Sequence, residues 1–161
     1  MTSLLSRPLP NQQATARLAA DLAPLLGEGD LVLLDGPLGA GKTFFTRALA
    51  RALGLATDAR VVSPTFTLVH EHETQPRLLH VDLYRLNDNE RAVRELGLLE
   101  QRDEGALLVV EWGLPFERLL GGDALVLKLG REQGDARIAA ISATGPRALQ
   151  LLEALARIEV E

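Results

Sequence analysis

Eight consecutive residues, Gly36-Pro37-Leu38-Gly39-Ala40-Gly41-Lys42-Thr43, satisfy every fixed position of the spacing G-x-x-x-x-G-K-[ST]. A loop of this kind turns successive backbone N–H groups toward one centre. Its small residues, here Gly36, Gly39, Ala40 and Gly41, let the chain approach an anion with little side chain in the way. The chemistry it suits is the cradling of a nucleoside triphosphate, with Lys42 reaching the β- and γ-oxygens and the Thr43 hydroxyl resting on a magnesium ion. A random window meets the pattern with a probability on the order of 3 in 100,000. Of the 17 basic residues only Lys42 and Lys128 are lysines. A chain that otherwise writes Arg thus keeps Lys where a compact ammonium, and not a planar fork, fits between phosphate oxygens.

A phosphate loop needs a carboxylate at the end of a neighbouring strand, to hold magnesium directly or through water and to orient the attacking group. Two residues qualify. Asp82 ends Leu78-Leu79-His80-Val81, and Glu111 ends Leu107-Leu108-Val109-Val110. Parallel strands around the loop would deliver both acids to one crevice; which of them is the direct metal ligand stays open. Trp112, the only tryptophan, stands beside Glu111 as a core or rim residue, a partner contact or a sensor of nucleotide state. Thr65 and Thr67 share a strand face by period two, where a hydroxyl near the γ-phosphate and ordinary strand packing are equally good roles. His70, His72 and His80 are read as solvated or hydrogen-bonded strand histidines; no third ligand is forced into reach, and no zinc site is expected.

The elements that must hold these residues are legible in outline. Asp30 to Asp35 is a short apolar run suited to a strand covered on both faces, and Lys42 to Leu53 reads as a helix stopped by Gly54. An amphipathic helix is expected from Asn11, as cap, to Leu26, with Pro24 disturbing its last turn. Ser63 to Glu71 and Arg77 to Tyr84 read as two strands joined by a hairpin at Glu73 to Pro76. Asn87 with Glu90 three residues on has the look of a capping pair for a helix over Asp88 to Leu96. Ala106 to Glu111 is a further buried strand. Ala124 to Leu129 and Ala136 to Ala143 are two more, before a closing helix from Arg147 to Ile158.

At 161 residues and 47% apolar content the chain fits one packed domain. The absence of cysteine excludes disulfides, thiolate catalysis and zinc fingers, so any metal is oxygen-bound. The formal charge of −5 argues against the whole surface serving as a nucleic-acid footprint, and any RNA link is expected to be indirect. The start, MTSLLSRPLP, lacks the apolar stretch of a signal peptide and no run approaches a membrane span, so a cytoplasmic protein without membrane attachment is expected.

Four blocks, GPLGAGKT, SPTFTLV, HVDLYRL and VVEW, in this order and at these intervals, resemble the TsaE (YjeE) family, the bacterial ATPase of tRNA threonylcarbamoyladenosine biosynthesis. The likeness runs from the first helix to at least Trp112, about two thirds of the chain, and the last third matches only in its strand, strand, helix outline. It implies a single P-loop NTPase domain over residues 1–161, α/β, with a mostly parallel central sheet, an antiparallel portion and helices on both faces. It also implies slow hydrolysis of ATP with Mg2+. By the same resemblance Lys42 is the phosphate lysine, Thr43 the magnesium hydroxyl, Asp82 and Glu111 the two acids, and the Ser63 to Thr67 segment a switch near the γ-phosphate. Gln12, Thr15 and Arg137 approach the adenine. Phe44 is a departure, since the family often has a second Thr there. The resemblance further implies action with a TsaB–TsaD complex on adenosine next to the tRNA anticodon.

Slow hydrolysis also suits the absence of a motif-placed glutamine or arginine finger, with Arg47, Arg85 and Arg131 all eligible. Three other activities share the loop. A small-molecule kinase would need an acceptor pocket and an Arg-bearing lid that does not stand out here. A GTPase would need an N-K-x-D element that the sequence lacks. A regulatory module would bind nucleotide and turn it over negligibly.

Overall fold

The computed structural model describes residues 4–62, 64 and 68–158. Seven strands form one sheet in the order β1-β7-β6-β2-β5-β4-β3. They are β1 (Leu4–Leu9), β2 (Leu31–Asp35), β3 (Val69–His72), β4 (Leu78–Asp82), β5 (Leu107–Glu111), β6 (Ala124–Arg131) and β7 (Arg137–Ala143). The centre, β6-β2-β5-β4, is parallel, whereas β7, β1 and β3 are added antiparallel at the flanks. The helices are α1 (Gln12–Leu22), α2 (Lys42–Ala52), α3 (Glu90–Glu95), α4 (Leu98–Asp103) and α5 (Pro146–Ala156).

The runs LVLLD, LLHVD and LLVVE have little polar alternation because both of their faces are covered, as parallel strands require. Period two then sorts their side chains. Val32, Leu34, Leu78, Leu107, Val109, Leu125 and Leu127 pack under α1, α2 and α5 through Leu18, Leu22, Phe45, Leu49, Leu151 and Leu155. Leu31, Leu33, Leu79, Val81, Leu108, Val110 and Val126 meet Val93, Leu98, Phe116 and Leu120 on the other face. Truncating a central member such as Leu33, which is completely buried, to Ala would cost about 2–5 kcal/mol.

Several boundaries differ from the sequence expectation. Strand β1 was not foreseen: LLSRPL carries an Arg and a Pro, and it is tolerated because β1 is an edge strand, where a missing N–H at Pro8 breaks no inner ladder. Helix α1 ends at Leu22 and tightens into a 3-10 turn over Ala23–Leu25, because Pro24 brings no N–H to an α-helical bond. Asn89, not Asn87, caps α3, its side chain accepting from Ala92 N; Asn87 sits at φ 48° and closes the preceding 3-10 turn. Helix α4, begun by Gly97 at φ 70°, was also missed. Strand β3 begins only at Val69, after Leu68 at φ 65°. Ser63, Thr65 and Thr67 lie outside the described residues.

Candidate functional site

All four parallel strands end on one edge of the sheet, and the phosphate-loop sequence leaves β2 there and enters α2. Glycine is required at two of its positions. Gly36 has φ 147°, and a Cβ on it would lie 2.4 Å from the Leu129 carbonyl oxygen of β6. Gly41, at φ 104°, is the residue from which α2 starts. The first turn of α2 carries no acidic side chain, so its free N–H groups and the positive end of its dipole face outward without a resident carboxylate. Within the loop, Ala40 N donates to Pro37 O at 3.1 Å, and Phe45 N donates to Gly41 O at 2.8 Å.

Lys42 is almost completely buried. Its Nζ donates to the Gly36 carbonyl at 2.7 Å and lies 4.2 Å from the centroid of the Trp112 ring, a cation–π distance. Burial pushes its pKa below the ordinary lysine value, opposed by the carboxylates of Glu111, Asp82 and Asp35. Trp112 holds φ 60°, unusual for a bulky residue, and its ring centroid lies 5.0 Å from that of Tyr84 at a tilt of 55°.

Asp82 and Glu111 are direct register partners in the parallel pair of β4 and β5, so the two expected strand-end acids stand side by side on one face. Both are buried. Asp82 Oδ1 accepts from Tyr84 N at 2.9 Å, in a turn of the chain just after β4. Glu111 Oε2 is 2.6 Å from His80 Nε2, whose ring is fully buried two residues before Asp82 on the same face. The expectation of a hydrogen-bonded strand histidine thus holds for His80, although nothing in the sequence named Glu111 as its partner.

A cavity of about 600 Å³ opens above these residues, a size suited to a nucleotide. Gln12, Gly39, Gly41, Lys42, Thr43, Phe44, Asp82, Glu111, Trp112 and Arg137 line it, together with Leu38 and Tyr84, which the sequence reading did not select. Tyr84 had a signal, its place in the HVDLYRL block; Leu38 occupies a free position of the loop pattern and had none. Gln12, Thr15, Phe44 and Arg137 meet Asp135 in an adjoining cleft beside Gly41. Asp135 was missed as well, lying in an irregular turn between β6 and β7. Thr65 and Thr67 cannot be placed against the cavity, being outside the described residues.

On the other side of the loop, Arg131 and Arg137 face each other across the antiparallel ladder of β6 and β7. Arg137 Nη2 donates to Gly39 O at 3.1 Å, and a Cβ on Gly39 would lie 3.5 Å from Arg131 Nη1. Arg47, by contrast, donates to Val61 O, and Arg85 lies in the 3-10 turn after Asp82. Two like charges opposed in a ladder are unfavourable unless an anion lies between or beside them.

The donor set fits Mg2+ bound together with phosphates. Among the described residues no group of three or more His, Cys, Asp or Glu is placed to hold a metal ion unaided. One hydroxyl and one or two carboxylates are what magnesium takes from a protein when substrate oxygens complete its shell. No helix of the described residues is long and apolar enough to cross a membrane.

Comparison with known proteins agrees with this layout. The family model described as threonylcarbamoyl adenosine biosynthesis protein TsaE matches residues 9–139. Proteins named tRNA threonylcarbamoyladenosine biosynthesis protein TsaE, from three bacteria, are similar to the chain. The Aquifex aeolicus protein is 44% identical over 105 residues, 65% of this chain and 73% of the relative. The Mycobacterium tuberculosis protein is 38% identical over 81% of this chain and 82% of the relative. The Bacillus subtilis protein is 36% identical over 91% and 90%. The crystal structure of Bacillus subtilis YdiB superposes with a TM-score of 0.81 at 32% identity, covering 98% of this chain and 97% of that one. With the GPLGAGKT loop, the paired strand-end acids and the α/β sheet in the matched region, the chain belongs to the TsaE family of threonylcarbamoyl adenosine biosynthesis proteins.

Proposed function

We propose that this chain binds ATP with Mg2+, hydrolyses it slowly alone, and through that turnover supports a TsaB–TsaD complex that forms the threonylcarbamoyl group on adenosine next to the tRNA anticodon. The observation that carries the reading is the convergence of Lys42, at the root of the phosphate loop, with Asp82 and Glu111, register partners at the ends of two parallel strands, in one cavity. Loop N–H groups and Lys42 hold the phosphates; Thr43 with Asp82 or Glu111 holds the metal; the remaining carboxylate orients the attacking water. Magnesium, when bound, neutralises charge on the β- and γ-oxygens. Gln12, Thr15, Phe44 and Arg137 border the place for the base. Trp112 and the Ser63 to Thr67 segment are the parts we assign to sensing nucleotide or partner. Contact with tRNA is indirect, and the site of action is the cytoplasm.

Slow turnover follows from how the phosphate lysine is engaged. Lys42 is turned back onto Gly36 and Trp112, so transition-state charge is met in full only after these contacts are exchanged for phosphate. A partner docking at the cavity mouth would organise that exchange. The test is reconstitution of tRNA threonylcarbamoylation with and without the chain. Multi-turnover yield should collapse on omission, and Lys42→Ala should lower ATP turnover by about 10²–10³-fold, in the range of removing one preorganised charge donor. Yield indifferent to both would refute the role, and γ-phosphate appearing on a small acceptor instead of in water would make the protein a kinase.

A further inference from the structure

We propose that His80 is a positioning residue for Glu111: its Nε2–H, 2.6 Å from Oε2, fixes the carboxylate so that its other oxygen faces the nucleotide cavity. The inference deepens the functional reading above and rests on Glu111 being an acting acid of the site.

Position 80 stands out chemically. Within LLHVD every residue is buried, and before the terminal acid this is the one polar side chain, while Leu78, Leu79 and Val81 of the same strand belong to the hydrophobic cores of the two faces and His70 of β3 stands opposite in register. A residue selected for packing alone would be Leu or Val. The imidazole is instead wholly excluded from solvent, and among the described residues its Nδ1 has no hydrogen-bond partner. Its hydrogen bonding among the described residues is therefore spent on one atom, Glu111 Oε2. A ring whose proton sits on Nε2 donates that bond and leaves Nδ1 as a bare lone pair.

The two acids differ in what holds them. Asp82 has a short side chain, and a backbone donor, Tyr84 N, grips its Oδ1. Glu111 has one more rotatable bond, and among the described residues its carboxylate finds its hydrogen bond in His80. A longer acid needs a side-chain partner to select one rotamer before reaction, because misplacement of a reacting group by about 1 Å costs on the order of 100-fold in rate. Carboxylates at metal and phosphate sites are commonly oriented by a second hydrogen-bonding partner in this way. With one lone pair of Oε2 taken by the histidine, Oε1 is the oxygen left without a protein hydrogen bond among the described residues, and the one assigned here to the cavity.

The experiment measures single-turnover hydrolysis of γ-labelled ATP and calorimetric binding of Mg·ATP for the full chain carrying His80→Leu, His80→Asn or His80→Gln, each also with Glu111→Ala. His80→Leu, and His80→Asn whose amide is too short to reach Oε2, should lower the hydrolysis rate about 10–100-fold, the range for losing an orienting partner, with the dissociation constant changed less than about 3-fold. His80→Gln, which carries an N–H donor at similar reach, should recover the rate to within about 5-fold of the parent, and in the Glu111→Ala background none of the three should add more than about 2-fold. A long-range ¹H–¹⁵N spectrum of the nucleotide-free chain should show His80 protonated at Nε2, with a resonance that moves on Glu111→Ala. Full rate losses that persist in the Glu111→Ala background, failure of Gln where the fold is intact, or a His80 signal indifferent to Glu111 would each overturn the inference. If Glu111→Ala silences hydrolysis while the His80 variants do not, the inference alone falls. If Glu111→Ala hydrolyses at the parental rate, the reading of Glu111 as an acting acid falls first.

Discussion

The two flanks of the phosphate loop are built differently. On one flank, Asp82, Glu111 and His80 are buried on inner or near-inner parallel strands, and their positions follow from strand register and from short hydrogen bonds. On the other, Arg131 is exposed and Arg137 half-buried, both at the far end of an antiparallel ladder, and they reach toward the loop through long side chains, Arg137 donating to the Gly39 carbonyl and Arg131 ending 3.5 Å from where a Cβ on Gly39 would stand. The acidic flank is preorganised by the core, so it suits the step in which charge moves. The basic flank is adaptable and costs ordering entropy on engagement, so it suits capture of the nucleotide.

The comparison is tested most severely by separating binding from turnover. Glu111→Ala should depress ATP hydrolysis by about 10²–10³-fold while leaving ATP affinity within a few-fold, the mark of an interaction made chiefly in the transition state. Arg137→Ala should do the reverse, weakening ATP binding by about 10-fold, or roughly 1.4 kcal/mol, with kcat little changed. Equilibrium binding alongside single-turnover rates checks both. Should the two variants shift affinity and rate in the same proportion, the division between the flanks is wrong.

How much of this was readable from sequence divides along the same line. The octet, the strands that end in Asp82 and Glu111, and the hairpin before β4 all announce themselves through period, apolar runs and loop chemistry. Buried parallel strands have continuous apolar sequences, and the acids stand where those runs stop. The basic flank gave weaker signals. Arg131 was one of three eligible arginines, and only the β6–β7 register shows it beside Gly39, since long-range pairing leaves no local trace. Strand β1 hid for a similar reason: with Arg7 and Pro8 in six residues it has poor strand chemistry, and its place depends on pairing with β7, more than a hundred residues away. The His80–Glu111 bond links residues 31 apart, and knowing it requires knowing that β4 lies beside β5.

A smaller effect lies at the outer edge of the acidic flank. Burial, followed by the neighbouring His80, His70 and Arg51, holds the His72 imidazole below its ordinary value near 6.5. The folded chain then binds protons there less readily than the unfolded one. Its contribution to stability is complete above the unfolded value and is lost as pH falls through that value toward the depressed folded one, with a slope of at most about 1.4 kcal/mol per pH unit. Urea midpoints measured from pH 7.5 downward should therefore fall more steeply for the parent than for His72→Leu. Parallel curves would show that His72 is already free to protonate in the fold, and that this flank is less closed than its burial indicates.

The least effect is expected on the basic flank, and it separates stability from capture. Asn11 starts α1, its Oδ1 accepting from Ala14 N at 2.9 Å, and the first turn beyond it carries Gln12 and Thr15 to the cleft shared with Arg137. Removing that cap with Asn11→Ala should cost about 1 kcal/mol of stability, since one N–H at the helix start loses its acceptor. Leu18, Ala19 and Leu22 keep the rest of the helix packed on the sheet, so the loss stays local to its first turn. If that turn positions groups for nucleotide capture, ATP affinity should weaken by about 2–5-fold with the hydrolysis rate of bound ATP unchanged, a shift of under about 1 kcal/mol. A stability loss with no change in affinity would detach the start of α1 from capture and leave Arg137 to carry that flank. A change in the hydrolysis rate itself would mean that the two flanks are coupled through the loop.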